Sequence, residues 1–173
     1  MSIFREIGVR EGKGRINEEV VYNIARAYTF IENYATQFLA TYNLSSAKFN
    51  IMLVVKHSGK EKGIAQNAIS KLLLVTTSNM TRMIDKLEQD GYVERVNQAG
   101  DRRVNLIKIT KKGSDLLDAI WPHYKEKIDK LVGSSLSSSE KTQMNRLLEK
   151  IKGIITTGSG DINMANGLRY EKQ

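Results

Sequence analysis

Apolar residues recur every three or four positions over most of this chain, and the pattern divides into helices separated by short polar segments. From Arg15 to Tyr42 the positions Ile16, Val20, Ile24, Ala27, Ile31, Ala35, Phe38 and Leu39 keep helical spacing and predict one long amphipathic helix. A shorter helix is predicted from Ala47 to about Lys56, capped by Ser45 or Ser46, with Phe49, Met52, Leu53 and Val55 turned inward. Ile64, Ile69 and Leu73 suit a third helix, with Leu72 and Leu74 as extra apolar positions. A fourth runs from Thr76, whose side-chain oxygen is placed to cap it, to about Asp90, where Gly91 supplies a left-handed residue to end it. Inside it Met80, Met83, Ile84 and Leu87 form one stripe, and Ser78, Arg82, Asp85 and Gln89 lie opposite.

The composition then turns to β-formers. Tyr92 to Asn97 and Val104 to Ile109 are two strand-like runs joined by Gln98 to Arg103, where Gly100 and Asp101 predict a hairpin turn. Thr110 can cap a second long helix from about Lys112 to Val132, with Leu116, Leu117, Ile120, Tyr124, Ile128 and Leu131 along one side and Pro122 inside, where it bends the helix. After a serine-rich loop, Ser138 or Ser139 is expected to cap a last helix ending near Ile155. Residues 1–14 read as a loose arm and 156–173 as an irregular tail.

Helix, tight turn, helix and basic hairpin is the layout of a winged helix-turn-helix, a module that lies on duplex DNA. The expected fold is mainly α with a small β-hairpin wing (α+β). The winged module spans about 47–110, within a domain of 15–155 whose flanking helices cover about 15–42 and 112–155. The polar front of the second helix of the pair opens with Thr77, Ser78, Asn79 and Thr81 and then reaches Arg82. Such a helix meets base edges through its N-terminal residues, where arginine pairs with guanine and asparagine with adenine. These five residues are the candidate base readers. Arg102 and Arg103 at the hairpin have no core to serve and are placed for a phosphate backbone or narrow minor groove, with Asp101 orienting one of them. Arg95 and Lys108 are secondary candidates for the backbone.

Charge sharpens this picture. The 173 residues carry 27 Lys and Arg against 19 Asp and Glu, a net charge of +8. From Ile51 to Lys112 there are 12 basic and 6 acidic residues, while the segments on either side are nearly balanced. A basic module in a near-neutral frame is the footprint of nucleic-acid binding, because each neutralised phosphate releases condensed counterions. There is no cysteine, which removes disulfides and thiolate chemistry. No stretch approaches a membrane span and no apolar run follows a basic start, so a cytoplasmic protein is expected. The two histidines, His57 and His123, have no spaced carboxylate or cysteine partners, so no metal, cofactor or catalytic centre is expected.

The motif order resembles the multiple antibiotic resistance regulator (MarR) family of transcription factors. It rests on Thr76 to Arg95, then the Asp-x-Arg of Asp101 and Arg103, then Ile109, Thr110 and Gly113 leading into the next helix, and covers roughly Leu44 to Ile155. The chain departs from the family pattern at Leu74, where a turn glycine is usual, and at Ser70, where a small alanine often packs. The resemblance implies a homodimer whose terminal helices interlock, binding a palindromic operator and acting as a repressor. It also implies relief by a small aromatic or lipophilic effector; Tyr28, Tyr34, His57, Trp121 and Tyr124 are of the type that lines such a pocket. Two rival readings of the same polar face are a nonspecific architectural DNA-binding protein and a protein-interaction module.

Overall fold

The computed structural model describes residues 2–10, 12–98 and 101–157, with side chains apart from those of 98, 101–105 and 155–157. Its elements run α1 (Ile3–Glu6), α2 (Ile16–Ala40), α3 (Ser46–Gly59), β1 (Ile64–Ala65), α4 (Gln66–Leu73), α5 (Thr77–Gln89), β2 (Val93–Gln98), β3 (Asp101–Ile109), α6 (Lys111–Gly133) and α7 (Ser138–Thr157). The three strands form one antiparallel sheet in the order β1-β3-β2. This is the mainly helical fold with a small β wing that the sequence predicts.

The core gathers the predicted stripes of the central helices. Met80, Ile84 and Leu87 of α5 meet Phe49, Met52 and Val55 of α3, Ile69 of α4, Ile107 of β3, and Leu117 and Ile120 of α6. Ser70 takes a buried place beside Ile69 without leaving its hydroxyl unpaired, because that hydroxyl donates to the Gln66 carbonyl at 3.1 Å. Leu74 adopts φ +52° at the end of α4, the left-handed conformation for which glycine is usual, with 91% of its surface exposed.

Several local expectations are corrected. Ile64 belongs to a two-residue strand, pairing with Ile107 through the backbone, and α4 starts only at Gln66. The lead-in is not wholly loose: α1 folds onto α2, with Ile3 and Phe4 buried, the Phe4 ring edge-on to Tyr22 and Arg15 stacked over it. Thr76 occupies the cap position of α5 but makes no side-chain cap bond. The last helix is capped by Ser137: its hydroxyl accepts from the Glu140 N–H while Glu140 accepts from the Ser137 N–H, a reciprocal pair that neither later serine forms. Ser45 and Thr110 cap α3 and α6 as predicted, through the N–H groups of Lys48 and Gly113. Gly100 of the predicted hairpin turn lies outside the described residues. Asp101 already pairs with Gln98, so Arg102 and Arg103 lie within β3, where the chain bulges before the Asn97–Asn105 pair. The predicted tail lies outside the described residues from 158 onward.

The start of α6 is closely fitted. A Cβ on Gly113 would stand 2.1 Å from the Tyr92 carbonyl oxygen, a distance no side chain tolerates. Thr110 ties the same corner, its backbone N–H donating to the Tyr92 carbonyl and its hydroxyl to the Gly91 carbonyl at 2.7 Å, and Lys112 Nζ donates to the Asp90 carbonyl. Gly91 itself has φ +76° and ends α5 as predicted.

Candidate nucleic-acid interface

The back of α5 is sealed in the core, and Thr77, Ser78, Asn79, Thr81 and Arg82 are all exposed. The structure therefore brings the five predicted base readers together on the N-terminal half of one helix. They are not equivalent. The Thr81 hydroxyl donates to the Thr77 carbonyl at 3.0 Å and accepts from Gln66 Nε2 at 2.7 Å, so it already spans the two helices of the pair. Gln66, which no periodicity singles out, braces the angle between α4 and α5.

The wing candidates Asp101, Arg102 and Arg103 share the outer end of β3, nearest the tip of the β2–β3 hairpin. Their side chains lie outside the described residues, as does the predicted pairing of Asp101 with an arginine. At the base of the wing Arg95 is not turned out toward a phosphate. Its guanidinium reaches the carboxylates of Asp85 and Glu88 on α5, and its backbone N–H donates to Glu88 at 3.1 Å. Partial burial works to lower the Arg95 pKa, but the hydrogen bond its guanidinium donates to Asp85 and the field of Glu88 together outweigh it and raise the pKa. Strand alternation carried the signal for this placement: Val93 is buried, so Arg95, two residues on, faces the same side, toward the helix. Lys108 is half-buried and sits opposite Glu94 across the β2–β3 ladder.

The aromatic residues proposed for an effector are only partly gathered. Tyr124 packs with Phe38, Phe49 and Trp121, its phenol pushed up in pKa by burial and then by Glu32. His57 and Trp121 line a cleft of about 170 Å³ between α3 and α6, floored by Leu53 and Leu117 and bordered by the Lys56–Asp118 ion pair. Tyr28 lines a separate cleft with Glu32, Asn50 and Met83. Tyr34 is partly exposed on α2. No group of three metal-ligating side chains, and no helix long and apolar enough to cross a membrane, occurs among the described residues.

The same arrangement recurs in known proteins. The sequence profile of the MarR family matches residues 42–104. YkoM of Bacillus subtilis, an uncharacterised HTH-type transcriptional regulator, is 31% identical over 126 residues, which cover 73% of this chain and 79% of that protein. The HTH-type transcriptional regulator PecS of Dickeya dadantii is 27% identical over 133 residues, 77% of this chain and 80% of that one. In three dimensions the chain superposes on S. aureus MepR in its DNA complex with a TM-score of 0.70 at 24% identity, covering 77% of this chain and 96% of that one, a likeness of fold. With a polar recognition-helix face beside a basic wing, and with these relatives, the chain belongs to the MarR family of winged helix-turn-helix transcriptional regulators.

Proposed function

We propose that this protein binds a palindromic duplex operator as a homodimer and represses transcription from it, in the cytoplasm. The observation that carries the reading is the two-sided character of α5. Met80, Ile84 and Leu87 are fully buried, while Ser78, Asn79 and Arg82 stand free in the most basic segment of the chain. A helix held that firmly from behind presents a fixed row of donors and acceptors to a major groove. Arg102 and Arg103 on the wing would supply phosphate or minor-groove contacts.

Dimer formation is supported by the flanking helices. Val20 and Ile24 of α2 and Met144, Leu147, Leu148 and Ile151 of α7 line an apolar groove of about 360 Å³, and much of that surface is exposed in one chain. Two-fold pairing would bury it and set the recognition helices about 34 Å apart, one turn of duplex. Relief of repression by a small aromatic or lipophilic effector belongs to the same reading, supported by the Trp121–Tyr124 aromatic group beneath the module.

The test is fluorescence anisotropy with duplex from the gene's own upstream region against a scrambled duplex, at several salt concentrations. A preference of about a thousandfold with a steep salt slope is expected. Equal salt-sensitive binding to both would replace the regulator with an architectural protein, and no binding at low salt would remove DNA altogether. Arg103→Ala should weaken binding by about tenfold with the fold intact, and an unchanged titration would sink the wing assignment.

A further inference from the structure

A recognition helix carrying two carboxylates in its C-terminal half is an unexpected tool for a polyanion. Asp85 lies seven residues after Ser78 and three after Arg82, which places it on the same face of α5 as the candidate base readers, and Glu88 follows one turn later. Both side chains keep access to solvent, 47% for Asp85 and 39% for Glu88. Left alone, two such charges would oppose the phosphates flanking any groove the helix entered.

Arg95 answers both. Its guanidinium engages Asp85 with one nitrogen and Glu88 with another, and its side chain is only 24% exposed. Because its backbone N–H also donates to Glu88, the attachment fixes strand β2 as well as the side chain. A planar fork with several donors is suited to hold two carboxylates at once, which an ammonium on a flexible stem does less well.

We infer that Arg95 is a positioning residue of the DNA-binding surface: it offsets one of the two charges on Asp85 and Glu88, holds both carboxylates and locks the wing to the recognition helix, and it does not itself ligate a phosphate. This rests on the DNA-binding reading above. The juxtaposition has two consequences. The face of α5 that follows Arg82 presents one net negative charge to an approaching duplex instead of two, and the wing and recognition helix keep one relative orientation in the free protein.

The experiment is a cycle of four full-length proteins: wild type, Arg95→Ala, the pair Asp85→Asn with Glu88→Gln, and all three changes together. Each is titrated with a duplex selected from a random pool on the wild-type protein. Arg95→Ala should cost about tenfold or more in affinity in the wild-type background, and less than about threefold once the carboxylates are amides. An equal loss in both backgrounds would make Arg95 a direct phosphate ligand, and no loss in the first would also overturn the inference. Arg95→Lys should recover part of the loss, since it restores one charge without the fork. Thermal unfolding of the same four proteins without DNA measures the clamp separately. Coupling there with no duplex binding by wild type would overturn the proposed function and leave the clamp standing, whereas absence of coupling would overturn the clamp.

Discussion

In the reading module, Ile69, Met80, Ile84, Leu87 and Ile107 have no surface left to solvent; in the flanking helices, Ile16 is 64% exposed, Val20 44%, Ile31 49% and Leu147 50%. Both regions show the same helical repeat of apolar positions, and the repeat is, if anything, longer in α2. The difference lies in what each region meets within one chain. The module folds three helices and a sheet around a common centre, while the first half of α2 and most of α7 have little beyond each other and α1. Periodicity reports that a face is meant to be buried, and it is silent about whether the partner is the same chain or another.

The sharpest way to break the contrast is to cut into the closed side. Ile84→Ala removes a side chain with no exposed surface and should lower unfolding stability by about 2 to 5 kcal/mol, read by thermal or denaturant unfolding. A loss under roughly 1 kcal/mol would mean that the module relaxes around the cavity and is less closed than described.

The open side should respond in a different currency. Leu147→Glu places a charge in the groove between α2 and α7 and should leave the thermal stability of the monomer nearly unchanged. By sedimentation, the molecular mass should fall by half, and affinity for a palindromic duplex should fall by about a hundredfold as the second half-site contact is lost. A protein that stays dimeric would place its interface elsewhere.

Leu74→Gly probes the turn inside the module. The left-handed backbone strains leucine by about 1 to 2 kcal/mol, part of which glycine returns through its greater freedom in the unfolded chain, so a net stabilisation of up to about 1 kcal/mol is expected. With 91% of the side chain exposed, little packing is forfeited. Destabilisation would assign Leu74 a contact made only in the assembled protein.

The smallest effect concerns the seam between the regions. Lys56 on α3 pairs with Asp118 on α6 at 2.6 Å, and this hydrogen bond holds the Asp118 carboxyl below its ordinary pKa. A depressed folded-state pKa contributes stability above the unfolded value, lost as pH falls through the folded one. Asp118→Asn should therefore lower stability slightly at pH 7, and the gap to wild type should begin to narrow as pH falls below about 4. A gap that does not narrow as pH falls below the ordinary carboxylate range would separate the effect from this ion pair.

Much of the module was legible because its signals are local. The stripe of Met80, Met83, Ile84 and Leu87, the ending glycine Gly91 and the caps Ser45 and Thr110 each depend on residues a turn or less apart. The missed features depend on distant partners. Strand β1 exists only because Ile64 meets Ile107, forty-three positions away, and nothing in a two-residue run could announce it. Arg95 looked like a free cation because Asp85 and Glu88 read as a solvated helix face, although the alternation through Val93 pointed inward. The placing of Thr81 among the base readers took no account of Gln66, fifteen residues earlier. Among the candidate site residues, the structure bears on the exposure of the five on α5, and the wing arginines await the mutational test.

The tight corner where α6 begins behaves mechanically as a fulcrum without play. Gly113 lies so close to the Tyr92 carbonyl, and Thr110 and Lys112 bind the preceding corner so directly, that α6 cannot swing there without carrying the end of α5 and the root of the wing with it. A tilt imposed on the first turns of α6 would thus be handed to the end of α5 and the root of the wing instead of being absorbed at that corner.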